Sequence, residues 1–201
     1  MGISPKADAT APKSKFPPAM GEDFIVRIDA DGKIVAKEIF QGSPWPGSEP
    51  QLCRLNSGRL VVLFGKITTI NESSQWDVRM RMYGPDLKPI ANEEEEDEEI
   101  VAASNAQRPM PPSGQIVKVA KGGFVTATTT SLYTTKVVQY DEEGQPLATL
   151  MFDMYHLGNI KAMISGNQLF IAAAGSFSLE ALKTQDRNPP YKIVITAIEL
   201  Q

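Results

Sequence analysis

Three segments decide how this chain folds: Ile28-Asp29-Ala30-Asp31-Gly32-Lys33-Ile34-Val35, Tyr83-Gly84-Pro85-Asp86-Leu87-Lys88-Pro89-Ile90 and Tyr140-Asp141-Glu142-Glu143-Gly144-Gln145-Pro146-Leu147. They align without a gap, at spacings of 55 and 57 residues. In each, an apolar residue leads into a short run rich in Asp, Glu, Gly or Pro, and an apolar residue follows. That is the composition of a tight turn between two strands. A further step of 57 reaches Ala197, inside the last apolar run of the chain.

A second alignment keeps the same order. Gln51 to Val61 matches Gln115 to Val125 in polarity at nearly every position, and Asn159 to Phe170 is a third copy with one extra residue near Gly166. Repetition at ~56 residues implies one supersecondary unit used several times. Each unit holds four strand candidates, a to d. Strand a is mixed (Leu52, Cys53 and Leu55 around Arg54), and strand b is a continuous apolar run, as in Leu60–Phe64. A strand apolar on both faces is one covered on both sides. Leu60–Phe64, Phe124–Thr128 and Leu169–Ala173 are therefore expected to be innermost. Strand c alternates, with Val78, Met80 and Met82 against Asp77, Arg79 and Arg81, the pattern of a strand with one watered face. Strand d follows the turn, at Lys33–Phe40 and Pro146–Phe152. The chain reads c-d, a-b-c-d, a-b-c-d, a-b-c. One capped helical turn, Ser178–Leu182, is the single helix signal.

The expected fold is all-β, with three to four antiparallel four-stranded units. Gly, apolar run, loop, alternating strand and Tyr-Asp-x-x-Gly together resemble the blades of a β-propeller, in particular those of large bacterial adhesin-like propellers. The resemblance spans roughly residues 23–200 and implies a fold without a particular activity. Three and a half blades fall short of the usual four, so the ring is open or is completed by another chain. A β-trefoil is the alternative, because it too is built from three four-stranded repeats.

The chain has 201 residues, 24 acids, 20 bases and a net charge of −4. Seven of the acids form Glu93–Glu99 (EEEEDEE), so the remainder is slightly basic. Residues 1–20 carry Lys6, Lys13 and Lys15 with four prolines and read as an extended arm ahead of one β domain, 21–201, with an acidic loop over 92–113. No basic patch with interleaved aromatics points to nucleic acid. No apolar run is long enough to span a membrane as a helix, and the N-terminus lacks the apolar core of a secretory signal. Cytoplasmic synthesis is expected, with incorporation into a virion as one outcome.

The lone His156 and lone Cys53 exclude multi-His metal cages and an internal disulfide. Asp29-Ala30-Asp31-Gly32 has the opening of a calcium loop but lacks its later acids, so Asp29, Asp31, Asp141 and Glu143 are expected to serve hairpin turns. No catalytic constellation, metal or cofactor is expected. The a–b and c–d turns are tight. The b–c and d–a links (Lys66–Gln75, Ser176–Pro190, Gln41–Pro50, Asn92–Ser113) are long and are expected to share one face, where binding resides. Trp45 and Trp76 can stack on a sugar or fill a partner's pocket there. Lys6, Lys13 and Lys15 can meet an acidic surface such as the run that includes Glu93, Glu94, Glu95 and Glu96. The expected function is a non-catalytic structural or protein-interaction subunit of a larger assembly, in which the chain meets a protein partner or itself. A phage capsid or tail accessory component belongs to that class. The alternative is a carbohydrate- or ligand-binding module using the long-loop face.

Overall fold

Hairpin chemistry sets the strand order. A computed structural model of the chain describes residues 23–40, 50–70, 73–90, 99–103, 114–129, 134–153, 155–176 and 192–200. The first sheet is a hairpin of β1 (Asp23–Ile28) and β2 (Ile34–Phe40). The second runs β3 (Gln51–Arg54), β4 (Leu60–Ile70), β5 (Ser73–Tyr83) and β6 (Pro89–Ile90), and β7 (Glu99–Ala103) also pairs with β5. The third runs β8 (Gly114–Lys118), β9 (Phe124–Thr129), β10 (Thr134–Tyr140) and β11 (Pro146–Asp153). The fourth runs β12 (Tyr155–Ser165), β13 (Gln168–Ser176) and β14 (Lys192–Glu199). Every pairing is antiparallel. The described residues contain no helix, and strand for strand they follow the expected c-d, a-b-c-d, a-b-c-d, a-b-c. Each repeat makes its own meander, whereas a trefoil would pool strands of three repeats into one barrel.

The aligned segments make one turn three times over. Asp29, Gly84 and Asp141 each donate their N–H to the carbonyl four residues on, and each accepts from the N–H three residues on. The residue at that third place has a left-handed backbone in all three copies: Gly32 (φ 80°), Leu87 (φ 64°) and Gly144 (φ 90°). This is a type I turn ending in a bulge, which needs φ > 0 at its last position. Leu87 occupies it against its steric preference and is buried there. Asp29 Oδ1 accepts from the N–H groups of Asp31 (3.1 Å) and Lys33 (2.8 Å), and Asp141 Oδ1 does the same for Glu143 (2.9 Å) and Gln145 (2.8 Å). These two acids are turn residues, as expected.

The sheets pack face to face in chain order. Alternate residues of each b strand point to opposite faces. Leu60, Val62, Phe64 and Tyr83 meet Ile25 of the first sheet, whereas Val61 and Leu63 point the other way. On that other side Cys53, Leu55, Val61, Leu63, Val78, Met80 and Met82 pack on Phe124, Val138 and Tyr140 of the third sheet. Phe124 and Tyr140, opposite each other in the ladder, stack at 4.8 Å. The opposite face of the third sheet (Val119, Val125, Ala127, Val137) packs on Ile160, Leu169, Ile171 and Ala173 of the fourth. A fully buried Val, Leu or Ile contributes about 1.5–3 kcal/mol, so these three seams hold the fold together.

Several expectations need correction. β4 and β9 are buried on both faces but β13 on one, because no described sheet lies over Phe170 and Ala172, and all three b strands lie second in their sheets, next to the a strands, rather than innermost. The charged face of strand c is not watered. Asp77 is 2% exposed, and the Arg79 and Arg81 side chains are mostly buried. The β1–β2 hairpin covers this face: Arg81 pairs with Glu38 at 3.2 Å, Arg79 with Asp77 at 3.3 Å, and Arg27 donates to the Pro85 carbonyl at 3.0 Å. Alternation of charge marked a salt-bridged seam, not solvent. The Lys66–Gln75 link is mostly strand, because β4 runs to Ile70 and β5 starts at Ser73. The stretch 92–113 holds β7, which continues along β5 where β6 leaves off. Finally, the ladder partner of Leu169 is Ile198, matching Leu60↔Tyr83 and Phe124↔Tyr140. The third copy is thus one residue longer than the 57-residue step to Ala197, and a one-residue shift turns a strand over. The Ser178–Leu182 turn lies outside the described residues.

Candidate functional site

The same alternation that builds the seams leaves two sheet faces without a described partner. In the fourth sheet, residues opposite one another across the ladder share a face: Met163 with Phe170, Phe170 with Ala197, Ala172 with Ile195. This face points away from the third sheet. It exposes Met163 (59%), Ile193 (79%) and Ile195 (63%), with Lys161 and Glu199 among them. In the first sheet, Ile25, Arg27 and Glu38 face the second sheet. Phe24, Val26 and Ile28 face away, and Phe24, Ile28 and Ile34 are each more than half exposed. Lys37 Nζ lies 5.0 Å from the centre of the Phe24 ring. Exposed apolar residues are common singly, but grouped on one sheet face they mark an interaction surface.

A second feature is polar and sits where tight turns meet. The Glu142 carboxylate lies between the β3–β4 and β8–β9 turns. It accepts from the N–H groups of Asn56 (3.2 Å), Ser57 (3.1 Å) and Gly123 (3.0 Å), and from the Ser57 hydroxyl (2.8 Å). Arg59 donates to the Glu142 carbonyl at 3.1 Å. Partial burial pushes the Glu142 carboxyl up, but the hydrogen bonds from Gly123, Ser57 and Asn56 outweigh it and hold the group at about 2. Every lone-pair direction this carboxylate offers toward the chain is in use, so its role is to tie two sheets together. Sequence reading passed over Glu142, because its repeat-mates are Ala30 and Pro85 and its partners are far away in the chain. The signal that could have found it is Asn56-Ser57, whose exposed N–H groups resemble an anion-accepting turn.

Cys53 is buried between the second and third sheets, and burial pushes its thiol up, beyond the opposing effect of Lys118. It packs as a small apolar residue. Among the described residues no three His, Cys, Asp or Glu side chains gather where a metal could be held. Lys6, Lys13, Lys15, Trp45, Glu93, Glu94, Glu95 and Glu96 lie outside the described residues. The backbone of Trp76 is in β5, opposite Ile67. None of these side chains is among the described ones, and the described residues add the two outer sheet faces as further candidates.

The chain matches no protein-family model and no curated protein.

Proposed function

We propose that the chain is a non-catalytic β scaffold that works by binding other protein through its two outer sheet faces. The observation that carries this reading is the apolar face of β12–β14, exposed at Met163, Ile193 and Ile195, together with the outward face of β1–β2. Among the described residues the other sheet faces pack on a neighbouring sheet at their centres, although β11 at the edge of the third sheet leaves Leu147, Leu150 and Met151 exposed.

The test is oxidation of the dilute chain by hydrogen peroxide, read by mass spectrometry at each methionine. Met151, also exposed, sets the fast limit, and the buried Met80 and Met82 set the slow one. Met163 should oxidise at the rate of Met151. Protection of Met163 to the level of Met80 would mean that the chain covers this face itself, and the interaction reading would fall.

A further inference from the structure

We infer that the face of β12–β14 receives the β1–β2 hairpin of a second copy of this chain, head to tail. The inference rests on the interaction reading above and names its partner. Each seam inside the chain joins the same two kinds of face. One is the face carrying Val61 and Leu63 in the second sheet and Val125 and Ala127 in the third; it always meets the next sheet. The other carries Leu60, Val62 and Phe64 in the second sheet, Phe124 in the third, and Leu169 and Ile171 in the fourth; it always meets the preceding sheet.

The ladder registers extend this equivalence to the ends. Leu60↔Tyr83, Phe124↔Tyr140 and Leu169↔Ile198 are the same pair in three sheets. Phe170 and Ala172 therefore occupy the places of Val61 and Leu63, and Ile195 and Ala197 those of Met80 and Met82. In the second sheet all four of those places are buried against the third. In the fourth, Ile195 and Ala197 are exposed and Phe170 and Ala172 are half-buried, with no described sheet over them. At the other end Ile28 takes the place of Tyr83 and Tyr140 in the aligned turns, a place that faces the preceding sheet in both complete repeats. Ile28 is exposed. Among the described residues one face of each kind is thus unfilled, and the seams already present are made by joining one kind to the other.

A contact between two different faces of identical chains is heterologous: it closes into a ring if the rotation allows and otherwise adds copies indefinitely. Closure by two copies would supply the sheets that a half-built propeller lacks.

The experiment is sedimentation velocity of the full chain from about 1 to 100 µM, with Ile195→Lys and Ile28→Lys variants. Both positions are exposed in the single chain, so neither change touches its core, and circular dichroism should be unaltered. The unmodified chain should associate with increasing concentration. Each variant alone should associate at least about thirtyfold more weakly, the scale of a central interface residue. Mixed together, the two variants keep one intact face of each kind and should form a 1:1 dimer that grows no further. Two variants that stay monomeric when mixed, or a mixture that grows beyond the dimer, would overturn the head-to-tail contact. A chain that remains monomeric at about 100 µM while Met163 oxidises freely would overturn the second copy as partner and leave the broader interaction reading standing. Met163 protected in the dilute monomer would remove both.

Discussion

Replacing Glu142 by Gln tests how the second and third sheets are locked at their turns. The carboxylate takes four hydrogen bonds, three from backbone N–H groups and one from the Ser57 hydroxyl, at 2.8 to 3.2 Å. Gln keeps the shape but replaces one acceptor oxygen by a donor that faces N–H groups. A carboxyl held at about 2 instead of 4.5 is more stable when ionised in the folded chain than in the unfolded one. At full strength that difference amounts to about 3 kcal/mol. Water reaches part of the group, so screening should reduce it to about 1–2 kcal/mol. The sign follows from the lowered value: the contribution is complete above about pH 4.5 and disappears as pH falls toward 2, because the unfolded chain takes up the proton first. Urea unfolding of the parent and Glu142→Gln at pH 7, 4 and 2.5 isolates this group, since all other acids titrate alike in both. The variant should be about 1–2 kcal/mol less stable at pH 7, with the gap narrowing steadily below pH 4.5. A gap that is absent at pH 7, or constant across the range, would refute the argument.

Gly123 has φ 75°, and a Cβ there would run into the Tyr140 carbonyl and the Asp141 backbone. Gly123→Ala should cost about 3 kcal/mol or more and lower the melting temperature sharply; an unchanged melt would contradict the turn geometry. The Thr126 hydroxyl is buried without a partner among the described residues, so Thr126→Val should raise stability by about 0.5–1 kcal/mol in the same unfolding assay. Arg81→Ala removes the pair with Glu38 and the contact with the Tyr83 hydroxyl, and should cost about 2–3 kcal/mol. Its signature in hydrogen exchange should be faster exchange confined to the β1–β2 amides, and a uniform loss over all four sheets would argue against the seam.

Much of the fold was legible because turns carry their chemistry locally. Asp29-Ala30-Asp31-Gly32 and Asp141-Glu142-Glu143-Gly144 mark tight hairpin turns, and two alignments in fixed order mark a repeat. What escaped reading depends on contacts distant in sequence. The alternation of Asp77, Arg79 and Arg81 with apolar residues is the same whether water or a neighbouring sheet lies over the charges. Only the β1–β2 hairpin, with Glu38 more than forty residues away in the chain, distinguishes the two. The strand that closes the second repeat could not be read as one unit, because β6 is two residues long and β7 resumes only at the last residue of the acidic run. For the site, sequence directed attention to loops and aromatics. The outer faces are invisible in sequence for a simple reason: Ile193 and Ile195 look like any buried strand residue until the sheet above them is counted.

The seams also govern how the chain comes apart. Among the described residues the second and third sheets are clamped on both faces, whereas the first and fourth are held on one. In a row of nearest-neighbour contacts, opening begins where there is one neighbour to lose, and it travels inward one unit at a time. The first hairpin has two strands and a single covered face, so it should open most often. β4 and β9, sealed on both sides, should be the last to exchange their amides. A molecule of this kind has a graded resistance to unfolding along its own length, and whatever fills an outer face would change the unit at that end from the most readily lost to one of the best protected.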